Sequence, residues 1–437
     1  MIAILGGGLS GLQLGRLLQD RGMEFLILEK GERPGGLCRT MRSGEYSWDI
    51  GPHAFYSKKP EAMAYYRALP LRYAELARDV RVCHHGPSRV HEVGYPFENG
   101  LADLPLRHRL ECAAGYCAAS AGRRSGGFGS LKDWIDRGLG FGISRHFMTP
   151  YNLKIWDCPL DQVSMDLVRQ KIEPEPAWKV VRNALFRGSV GRAYQARFIY
   201  PEEGAGSLTD SIAAQVKSRL RLGFSVKKLE RLGAGWRISG EGGEPVEAET
   251  VVSTIPVPEL LDAAQDPALL AFRREFRSND TLFAVLGLKR GSDFGAFKTC
   301  QWVFFAGAEL FYRVTLMHNF TSRRLPTLVA EITRKGEAAA MGEGELLERV
   351  MKDCLACGIL RSREDVAFTH THLERYTYPI PTVGLQQVRS ALEARLAGQG
   401  IRLLGRSGRW DYLNTDGIFL EVERFMRGME TWYNRSP

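Results

Sequence analysis

The spacing of apolar and polar positions at the start of the chain predicts a strand, a tight turn, a helix and a second strand. Residues 2–5 form a short apolar run, which the glycines at 6–8 interrupt. Leucines then recur at nearly helical spacing over residues 9–18, and Gly22 marks the end of the helix. Residues 25–28 are a second apolar run of strand length. The chain is therefore predicted to open with a βαβ unit.

Further patterns divide the rest of the chain. Helical spacing at residues 60–73 and 107–121 predicts a mainly helical insertion, whereas short apolar runs at 220–255 predict strands that rejoin the first unit. Strands of an open antiparallel sheet are predicted at residues 281–288, 301–305, 311–317 and 328–333. The last stretch predicts a helix at 386–396, a strand at 401–404, a glycine-rich turn and a closing helix. These patterns predict an α/β fold with two interleaved domains.

Composition and charge exclude some functions and leave others open. The 437 residues are 44% hydrophobic and carry a formal net charge of +9, which attracts anionic small molecules or membrane surfaces only in general terms. The basic residues form no dense tract, so no nucleic-acid partner is expected. No apolar run approaches the roughly 20 residues of a membrane span and no signal peptide is recognisable, so a cytoplasmic location is expected. Peripheral membrane contact and the oligomeric state stay open.

The eight cysteines are expected to be reduced thiols, because they lack the density of a small disulfide-bonded domain. Cys354 and Cys357 form a CxxC at the end of a helical run over residues 346–357. No second CxxC accompanies this pair to complete a zinc site. No metal site is therefore predicted.

The glycines between the first strand and helix have the spacing of a dinucleotide-binding turn. Gly6, Gly8 and Gly11 form a G-x-G-x-x-G, in which the first permits the turn, the second lets the backbone approach a diphosphate, and the third lets helix and strand pack closely. The helix N-terminus offers unpaired N–H groups to the diphosphate. Glu29 ends the second strand, where a carboxylate can accept hydrogen bonds from both ribose hydroxyls. It would also repel the 2′-phosphate of NADP, so NAD and FAD remain as candidates.

A second glycine turn separates these two cofactors. Residues 34–40 read PGGLCRT, and with them the chain resembles the flavoprotein superfamily of amine oxidases, protoporphyrinogen oxidases and UDP-galactopyranose mutases. The resemblance implies non-covalent FAD, since the C-terminal flavin segment at 405–416 contains no cysteine. The residues that it places against FAD are Gly6, Gly8, Ser10, Gly11, Glu29, Lys30, Gly35, Gly36, Arg39, Val226, Gly405, Arg406, Asn414 and Asp416.

The resemblance extends over nearly the whole chain. Residues 51–57 are similar to the GPHxF loop of the mutases, which runs beside the flavin ring, and 405–416 are similar to the C-terminal GRxGxWxYxNxD flavin motif. In that motif, Asn414 or Asp416 can cap the following helix. The other similar segments are residues 151–156 (YxxKxW), 251–256 (a strand-to-proline turn), 312–314 and 378–380.

Two segments depart from the pattern of these relatives. Residues 170–172 read QKI where relatives usually carry QRI, and lysine lacks the bidentate fork of arginine for holding a diphosphate or carboxylate. Residues 198–204 stand where the oxidase-like members have a YPxGG-type turn, and the mutase-type sequence differs more. Both departures favour an oxidoreductase over a mutase.

Three functions are compatible with such a flavin site. We predict an FAD-dependent oxidoreductase that transfers a hydride from a small metabolite to flavin N5, with anionic and sugar-derived compounds as candidate substrates. The alternative is a UDP-galactopyranose-mutase-like isomerase that acts on a nucleotide sugar with reduced FAD, and the third is a flavin-binding protein without catalysis. The candidate catalytic residues are His53, Lys154, Arg313, Tyr378 and Arg406, each of which also has a plain structural interpretation as a solvated charge, a hydrogen-bonding partner or a core aromatic.

The resemblance completes the predicted fold. A Rossmann-like FAD-binding domain of the glutathione-reductase type is expected from residues 1–60, 200–262 and 386–437. A helical cap at 61–199 and a sheet-containing substrate domain at 263–385 are expected to complete the chain.

Overall fold

The structure is a computed structural model that describes residues 1–51, 53–122, 127–165, 175–186 and 197–433, with side chains described as far as residue 429. The α-helices are α1 (Leu9–Asp20), α2 (Pro60–Ala68), α3 (Leu106–Ala121), α4 (Leu131–Trp134), α5 (Gly140–Ile143), α6 (Thr149–Ile155), α7 (Ala177–Leu185), α8 (Gly206–Gln215), α9 (Val257–Ala264), α10 (Pro267–Leu270), α11 (Glu337–Ala340), α12 (Glu343–Ala356), α13 (Leu385–Ala397), α14 (Gly405–Gly408) and α15 (Thr415–Tyr433). Two π-helical turns, Ile135–Leu139 and Ser144–Met148, lie between α4 and α6.

The strands form one parallel sheet, one large mixed sheet and three small antiparallel sheets within the described residues. They are β1 (Ile2–Leu5), β2 (Phe25–Leu28), β3 (Thr40–Ser43), β4 (Tyr46–Asp49), β5 (Tyr73–Ala77), β6 (Val80–His85), β7 (Val90–Gly94), β8 (Arg197–Pro201), β9 (Leu220–Arg221), β10 (Ser225–Leu232), β11 (Gly235–Glu241), β12 (Val246–Ala248), β13 (Thr250–Ser253), β14 (Ser278–Leu288), β15 (Trp302–Phe305), β16 (Arg313–Leu316), β17 (Thr327–Thr333), β18 (Val366–Pro379) and β19 (Ile401–Leu403).

The parallel sheet has the strand order β19-β13-β1-β2-β9, and each neighbouring pair is parallel. The predicted βαβ unit is therefore confirmed as β1-α1-β2. Strands β13 and β19 come from distant parts of the chain and extend this sheet beside β1, as the sequence predicted. The central strands are buried along their length, which is typical of a sheet covered on both faces. Ligands of such sheets bind at the carboxyl ends of the strands.

The large sheet has the order β18-β14-β17-β16-β15-β6-β7. The predicted strands β14 to β17 are present, and β14, β15, β16 and β17 pair antiparallel as expected. The structure differs at one edge, where β6 and β7 come from the region predicted as helical and β6 pairs with β15 in parallel. The strand β6 was missed because it is short and buried without clear alternation.

One helix is shorter in the structure than the sequence predicted. The helix predicted over 60–73 ends at Ala68, and Leu69 already has an extended backbone. Pro70 follows directly, and a residue before proline is disfavoured in the helical conformation. Residues 73–77 instead form β5, which pairs with β8. The predicted domain boundaries stay a prediction.

Buried apolar side chains pack into three clusters, one of which fills the space between the large sheet and α12. In the part of the chain that the structure describes, no helix combines the length and the apolar character needed to cross a bilayer.

Candidate functional site

The glycine turn after β1 has the geometry that a bound diphosphate needs. Gly6 has a φ of +100°, and a Cβ on Gly11 would lie 2.0 Å from the Gly6 carbonyl oxygen, so both positions require glycine. The Gly35 N–H donates to the Gly7 carbonyl at 2.8 Å, which brings the second glycine turn beside the first. Helix α1 begins after Gly8, which has no side chain to cap it. Its first N–H groups are therefore available to an anion.

Glu29 lies at the end of β2 and faces this turn. Its carboxylate accepts hydrogen bonds from the N–H groups of Gly7 at 2.6 Å and Gly31 at 2.8 Å, and these contacts fix its orientation. The segment before β10 runs alongside, because the Phe224 N–H donates to the Glu29 carbonyl at 2.8 Å, and Val226 follows two residues later. A contact of Val226 with FAD stays a prediction.

Lys30 makes a different contact from the one predicted. Its ammonium pairs with Glu259 at 2.9 Å, at a position where the lysine side chain is 59% exposed. A contact with FAD through Lys30 stays a prediction.

The two ends of the chain meet at Ser10 and Gly405. Gly405 has a φ of +79°, and a Cβ there would lie 2.0 Å from the Ser10 Oγ. The Gly405 N–H donates to Glu421 of α15 at 3.1 Å, which holds the turn against the last helix. The C-terminal flavin motif therefore packs directly on the first turn of α1.

Replacing Gly405 by alanine is expected to weaken FAD binding about tenfold or more. The positive φ costs an alanine roughly 1–2 kcal/mol, and the added methyl would also have to displace Ser10. FAD affinity is measured by titrating the deflavinated protein and following flavin fluorescence. Gly417→Ala is the matched control, because its Cβ would meet Leu413 only at ordinary contact distances of 3.4 and 3.6 Å. Equal affinity in both variants would contradict this packing.

The loop predicted to run beside the flavin ring is tied to both neighbouring flavin segments. The His53 Nε2 lies 3.0 Å from the carbonyl of Leu37, and the Ser57 hydroxyl donates to Asp416 at 2.7 Å. Pro52 lies outside the described residues. Asn414 directly precedes α15, and its carbonyl accepts the Ile418 N–H at 3.0 Å, as expected of a residue at the helix start. Three segments that are distant in sequence therefore converge.

The charge state of His53 is set by its surroundings. Burial is the largest effect and lowers the pKa of His53. The Leu37 carbonyl and Asp49 act in the opposite direction, whereas Arg406 and Arg313 lower the pKa further. His53 is consequently neutral near pH 7, and it lies within the electrostatic influence of two other predicted catalytic residues.

Arg39 follows the second glycine turn and contacts both this turn and the large sheet. Its Nε donates to the Gly36 carbonyl at 2.6 Å, and its guanidinium pairs with Glu374 of β18. The first contact stabilises the turn that faces Gly8, and the second joins this turn to the large sheet.

Arg313 belongs to a buried polar group on the large sheet. Its Nε and Nη2 donate to the two carboxylate oxygens of Glu331 at 2.7 and 2.6 Å, and Nη2 also donates to the Tyr378 hydroxyl at 3.1 Å. Burial is the largest single effect and lowers the pKa of Arg313, but the charge and hydrogen bonds of Glu331 act together with the nearby tyrosines and raise this pKa well above its usual value. Arg313 therefore carries its charge in the interior.

Arg406 lies beside two tyrosine rings. Its guanidinium carbon is 4.4 Å from the ring centre of Tyr412 and 5.4 Å from that of Tyr378. Its terminal nitrogens donate to the carbonyls of Leu413 and Thr377, both at 2.9 Å. Three of the predicted catalytic residues, Arg406, Arg313 and Tyr378, thus form one connected group.

Aromatic side chains surround this group. Tyr378 stacks on Tyr412 with ring centres 5.8 Å apart, and Trp156 meets Tyr378 edge-on at 6.3 Å. Burial raises the pKa of Tyr378 to about 12, although Arg313 opposes this effect, so the hydroxyl keeps its proton at neutral pH. The region offers flat apolar surface with a few fixed polar atoms, which is typical of a small-molecule pocket.

Lys154 is not part of this group. Its ammonium donates to the Phe311 carbonyl at 3.1 Å and to Glu309 at 3.3 Å. Burial lowers the pKa of Lys154, and the Glu309 charge compensates only in part. A catalytic role of Lys154 stays a prediction. Residues 170–172, where lysine replaces the expected arginine, lie outside the described residues.

The sequence interpretation missed Glu331 and Tyr412. Glu331 is 1% exposed and interrupts the apolar run of β17. A charged residue inside such a run signals a buried partner, so this position could have been recognised. Tyr412 carries no comparable signal, since only the fold brings it onto Arg406.

The site fits a dinucleotide cofactor on its own chemistry. The turn at residues 6–11 has glycine at positions where a Cβ would collide with neighbouring protein atoms. The start of α1 offers N–H groups, and Glu29 retains lone pairs for hydroxyl donors. The first two features match a diphosphate, and Glu29 matches a ribose.

Family models match most of the chain. A model for an NAD(P)-binding Rossmann-like domain matches residues 4–69, and the model for flavin containing amine oxidoreductases matches residues 177–406. The first covers the βαβ unit and the second glycine turn, and the second extends from α7 into the C-terminal flavin segment.

Individual relatives agree with these models. The chain is 26% identical over 282 residues to a putative flavin-containing monoamine oxidase of Mycobacterium tuberculosis, covering 61% of this chain and 59% of that relative. It is 25% identical over 328 residues to a coproporphyrinogen III oxidase of Mycobacterium bovis, covering 70% of each chain. The chain therefore spans somewhat more than half the length of the first relative.

Solved structures share the fold over the whole chain. A reduced UDP-galactopyranose mutase superposes with a TM-score of 0.89 at 24% identity, covering 98% of this chain and 94% of that one. A putative protoporphyrinogen oxidase from Exiguobacterium sp. 255-15 superposes with a TM-score of 0.77 at 17% identity, covering 98% of both chains. These matches confirm the predicted fold class.

The amine oxidoreductase model covers more than half of the chain. The predicted cofactor, FAD, and the predicted superfamily are confirmed: the chain belongs to the family of flavin containing amine oxidoreductases.

Proposed function

We propose that the protein is an FAD-dependent oxidoreductase that removes a hydride from a small metabolite. When bound, FAD accepts the hydride at N5. The chain's own residues bind the substrate, orient it and exclude water from it. Family membership and the oxidase relatives support this reaction class.

The observation that carries the proposal is the internal charge balance of the candidate pocket. Arg313 is neutralised by Glu331 with two short hydrogen bonds, and Arg406 donates to two backbone carbonyls. A nucleotide-sugar diphosphate needs cations that face the ligand, whereas these two are already engaged by protein acceptors. Such a pocket suits a substrate of low charge, which leaves amines and other small metabolites as the favoured class.

The described side chains have distinct roles in this proposal. Tyr378 receives a hydrogen bond from Arg313, so its own proton is free to point at a substrate acceptor. Neutral His53 can take up the proton that a substrate N–H or O–H loses. The Arg406 guanidinium lies beside the two tyrosines and stabilises negative charge that develops nearby.

A UDP-galactopyranose-mutase-like isomerase is the second candidate. The superposition with that mutase over 98% of the chain supports it, as do the GPHxF-like loop and the segment at 378–380. In this case the protein would convert a nucleotide sugar between ring forms without net redox change.

The first experiment measures which reaction the oxidised and reduced protein perform. Purified protein is expected to be yellow and to release FAD on heating. Oxidised protein is mixed without oxygen with primary amines and L-amino acids, and bleaching of the flavin absorbance is expected with at least one of them. In air, the same compound should be turned over repeatedly. Coproporphyrinogen III, which carries four carboxylates, is tested in parallel, and bleaching by it would contradict the argument from low charge.

The opposite outcomes are equally specific. Dithionite-reduced protein is incubated with UDP-galactopyranose, and substantial formation of a furanose product without net redox would reject the oxidoreductase in favour of the mutase. A flavin that neither bleaches nor turns over with any compound would indicate a non-catalytic flavin-binding protein. A colourless protein that cannot take up FAD would contradict all three functions.

We also propose the cellular compartment in which the reaction takes place. The eight cysteines are all unpaired in the structure, which agrees with a reducing compartment such as the cytoplasm. A small molecule is the expected partner.

A further inference from the structure

Four potential metal ligands meet on the large sheet, and none of them is a residue assigned to flavin chemistry. They are Cys83 and His85 of β6, Glu309 in the loop between β15 and β16, and Cys357 directly after α12. Their ligand atoms all lie within 4.8 Å of one another. The proposed oxidoreductase reaction uses none of them.

The fold explains why these residues converge. Cys83 and His85 are two positions apart on a strand, so their side chains leave the same face. Cys83 is in register with Phe305 of the parallel neighbour β15, and the loop with Glu309 begins immediately after that strand. Cys357 follows the last residue of α12, whose buried face packs against the same sheet.

All four donors are of the types that zinc takes in proteins, namely cysteine sulfur, histidine nitrogen and carboxylate oxygen. Two thiolates, one imidazole and one carboxylate complete a tetrahedron, and sulfur ligands exclude Mg²⁺ and Ca²⁺. The Cys357 Sγ lies 3.2 Å from a Glu309 oxygen, which the His85 Nε2 also contacts. Zinc bonds of about 2.0–2.3 Å at tetrahedral angles place ligand atoms about 3.3–3.8 Å apart. The four side chains therefore need only small adjustments.

Charge balance also favours a divalent cation. Glu309 is 6% exposed and lies among the apolar side chains of the cluster beneath the large sheet, where an unpaired charge is costly. Two thiolates and this carboxylate carry three negative charges. A Zn²⁺ ion together with the ammonium of Lys154, 3.3 Å from Glu309, cancels them. Lys154 thus acquires a role as a positioning residue beside the carboxylate.

Hydrogen bonds to α12 hold the loop that carries Glu309 in place. The Leu310 N–H donates to Asp353 at 2.8 Å and Arg349 donates to the Ala308 carbonyl at 3.0 Å, which fastens the loop to α12. Gly307 leaves the necessary space, because a Cβ there would lie 2.8 Å from both a Glu309 oxygen and the His85 ring. His85 is the exposed member, with 44% of its side chain accessible, and provides a route for the ion.

We propose that Cys83, His85, Glu309 and Cys357 form a structural zinc site that joins the large sheet to α12. Four protein ligands leave no open position for a substrate, which assigns the ion to stability and not to the flavin reaction. The CxxC motif contributes only its second cysteine, because Cys354 lies outside the cluster.

The site is tested on the full-length flavoprotein, purified without chelator and without a histidine tag. Elemental analysis is expected to find about one zinc per chain. After exchange with Co²⁺, tetrahedral thiolate coordination is expected to give absorption bands at wavelengths longer than those of the flavin. A strong chelator should lower the melting temperature of the wild type.

Variants separate this site from general effects on folding. Cys357→Ser is expected to lower zinc affinity at least about tenfold in competition with a chromophoric chelator. Cys354→Ser is the matched control, since it makes the same change one helical turn earlier and should keep the zinc. His85→Gln removes an exposed ligand with little risk to folding and should also lose it. FAD content should stay unchanged in all three.

Three results would overturn the proposal. One is a wild-type protein that contains no zinc and binds no Co²⁺. Another is equal zinc affinity in His85→Gln and the wild type. The third is a Cys83–Cys357 disulfide found by mass spectrometry in the native protein, which would assign the two thiols to redox chemistry.

Discussion

Replacing Arg313 by methionine is expected to lower the free energy of unfolding by about 3–5 kcal/mol. The change removes the partner of Glu331, a carboxylate that is 1% exposed and cannot recover its hydration in the folded state. The hydroxyl of Tyr312, which donates to the same carboxylate at 3.0 Å, is too weak a replacement for a bidentate guanidinium. Urea unfolding of the purified variant measures the loss.

A second substitution separates the cost of the unpaired charge from the function of the arginine. In Arg313→Met combined with Glu331→Leu, both charges are removed, and most of the lost stability is expected to return. Flavin reduction by substrate should remain impaired in the double variant, because Arg313 also positions the Tyr378 hydroxyl. Full recovery of both properties would show that Arg313 is only a structural residue.

The control for this experiment is an exposed ion pair. Arg323 is 48% exposed and pairs with Glu202 at 2.9 Å. Arg323→Met is expected to change stability by no more than about 0.5–1 kcal/mol, because exposed pairs contribute little. If Arg313→Met were as stable as this control, the buried pair would not contribute as we argue.

The parts of the fold that the sequence predicted well are those that local physics determines. The turn from Gly6 to Gly11 requires glycine for backbone reasons that act within six positions, and the apolar runs on both sides are too short for alternative elements. The C-terminal motif at residues 405–416 was recognised in a different way, through its resemblance to the flavin motif of the relatives.

The parts that were missed depend on contacts between distant segments. Lys154 belongs to a recognisable motif, yet its neighbour Glu309 lies 155 positions later in the chain, and only the fold reveals the ion pair. The strand β6 is likewise defined by its pairing with β15 and β7. A sequence pattern reports which face of an element is buried, but not which element covers it.

The cysteines illustrate the same limit. The CxxC suggested that Cys354 and Cys357 act together, and without a second pair no metal site was predicted. In the structure Cys357, directly after α12, approaches Cys83 and His85 of the strand β6. Cys354 instead packs into the apolar cluster. Adjacent motif residues therefore do not have to share a site.

Glu29→Ala is expected to lower FAD affinity about a hundredfold. The structure orients this carboxylate with two backbone N–H groups, and a ribose would add hydroxyl donors to the remaining lone pairs. Hydrogen bonds to a charged group contribute about 1.5–3 kcal/mol each, so losing two costs about 3 kcal/mol or more. Fluorescence titration of the deflavinated protein with FAD measures the change.

Glu29→Gln and Glu32→Ala make this prediction specific. Glutamine keeps the shape and one acceptor oxygen, so a smaller loss of affinity than in Glu29→Ala is expected. Glu32 is exposed and lies three residues further along, so its replacement should leave the affinity unchanged. An unchanged affinity in Glu29→Ala would mean that the carboxylate only stabilises the turn at Gly7 and Gly31, and that the ribose is bound elsewhere.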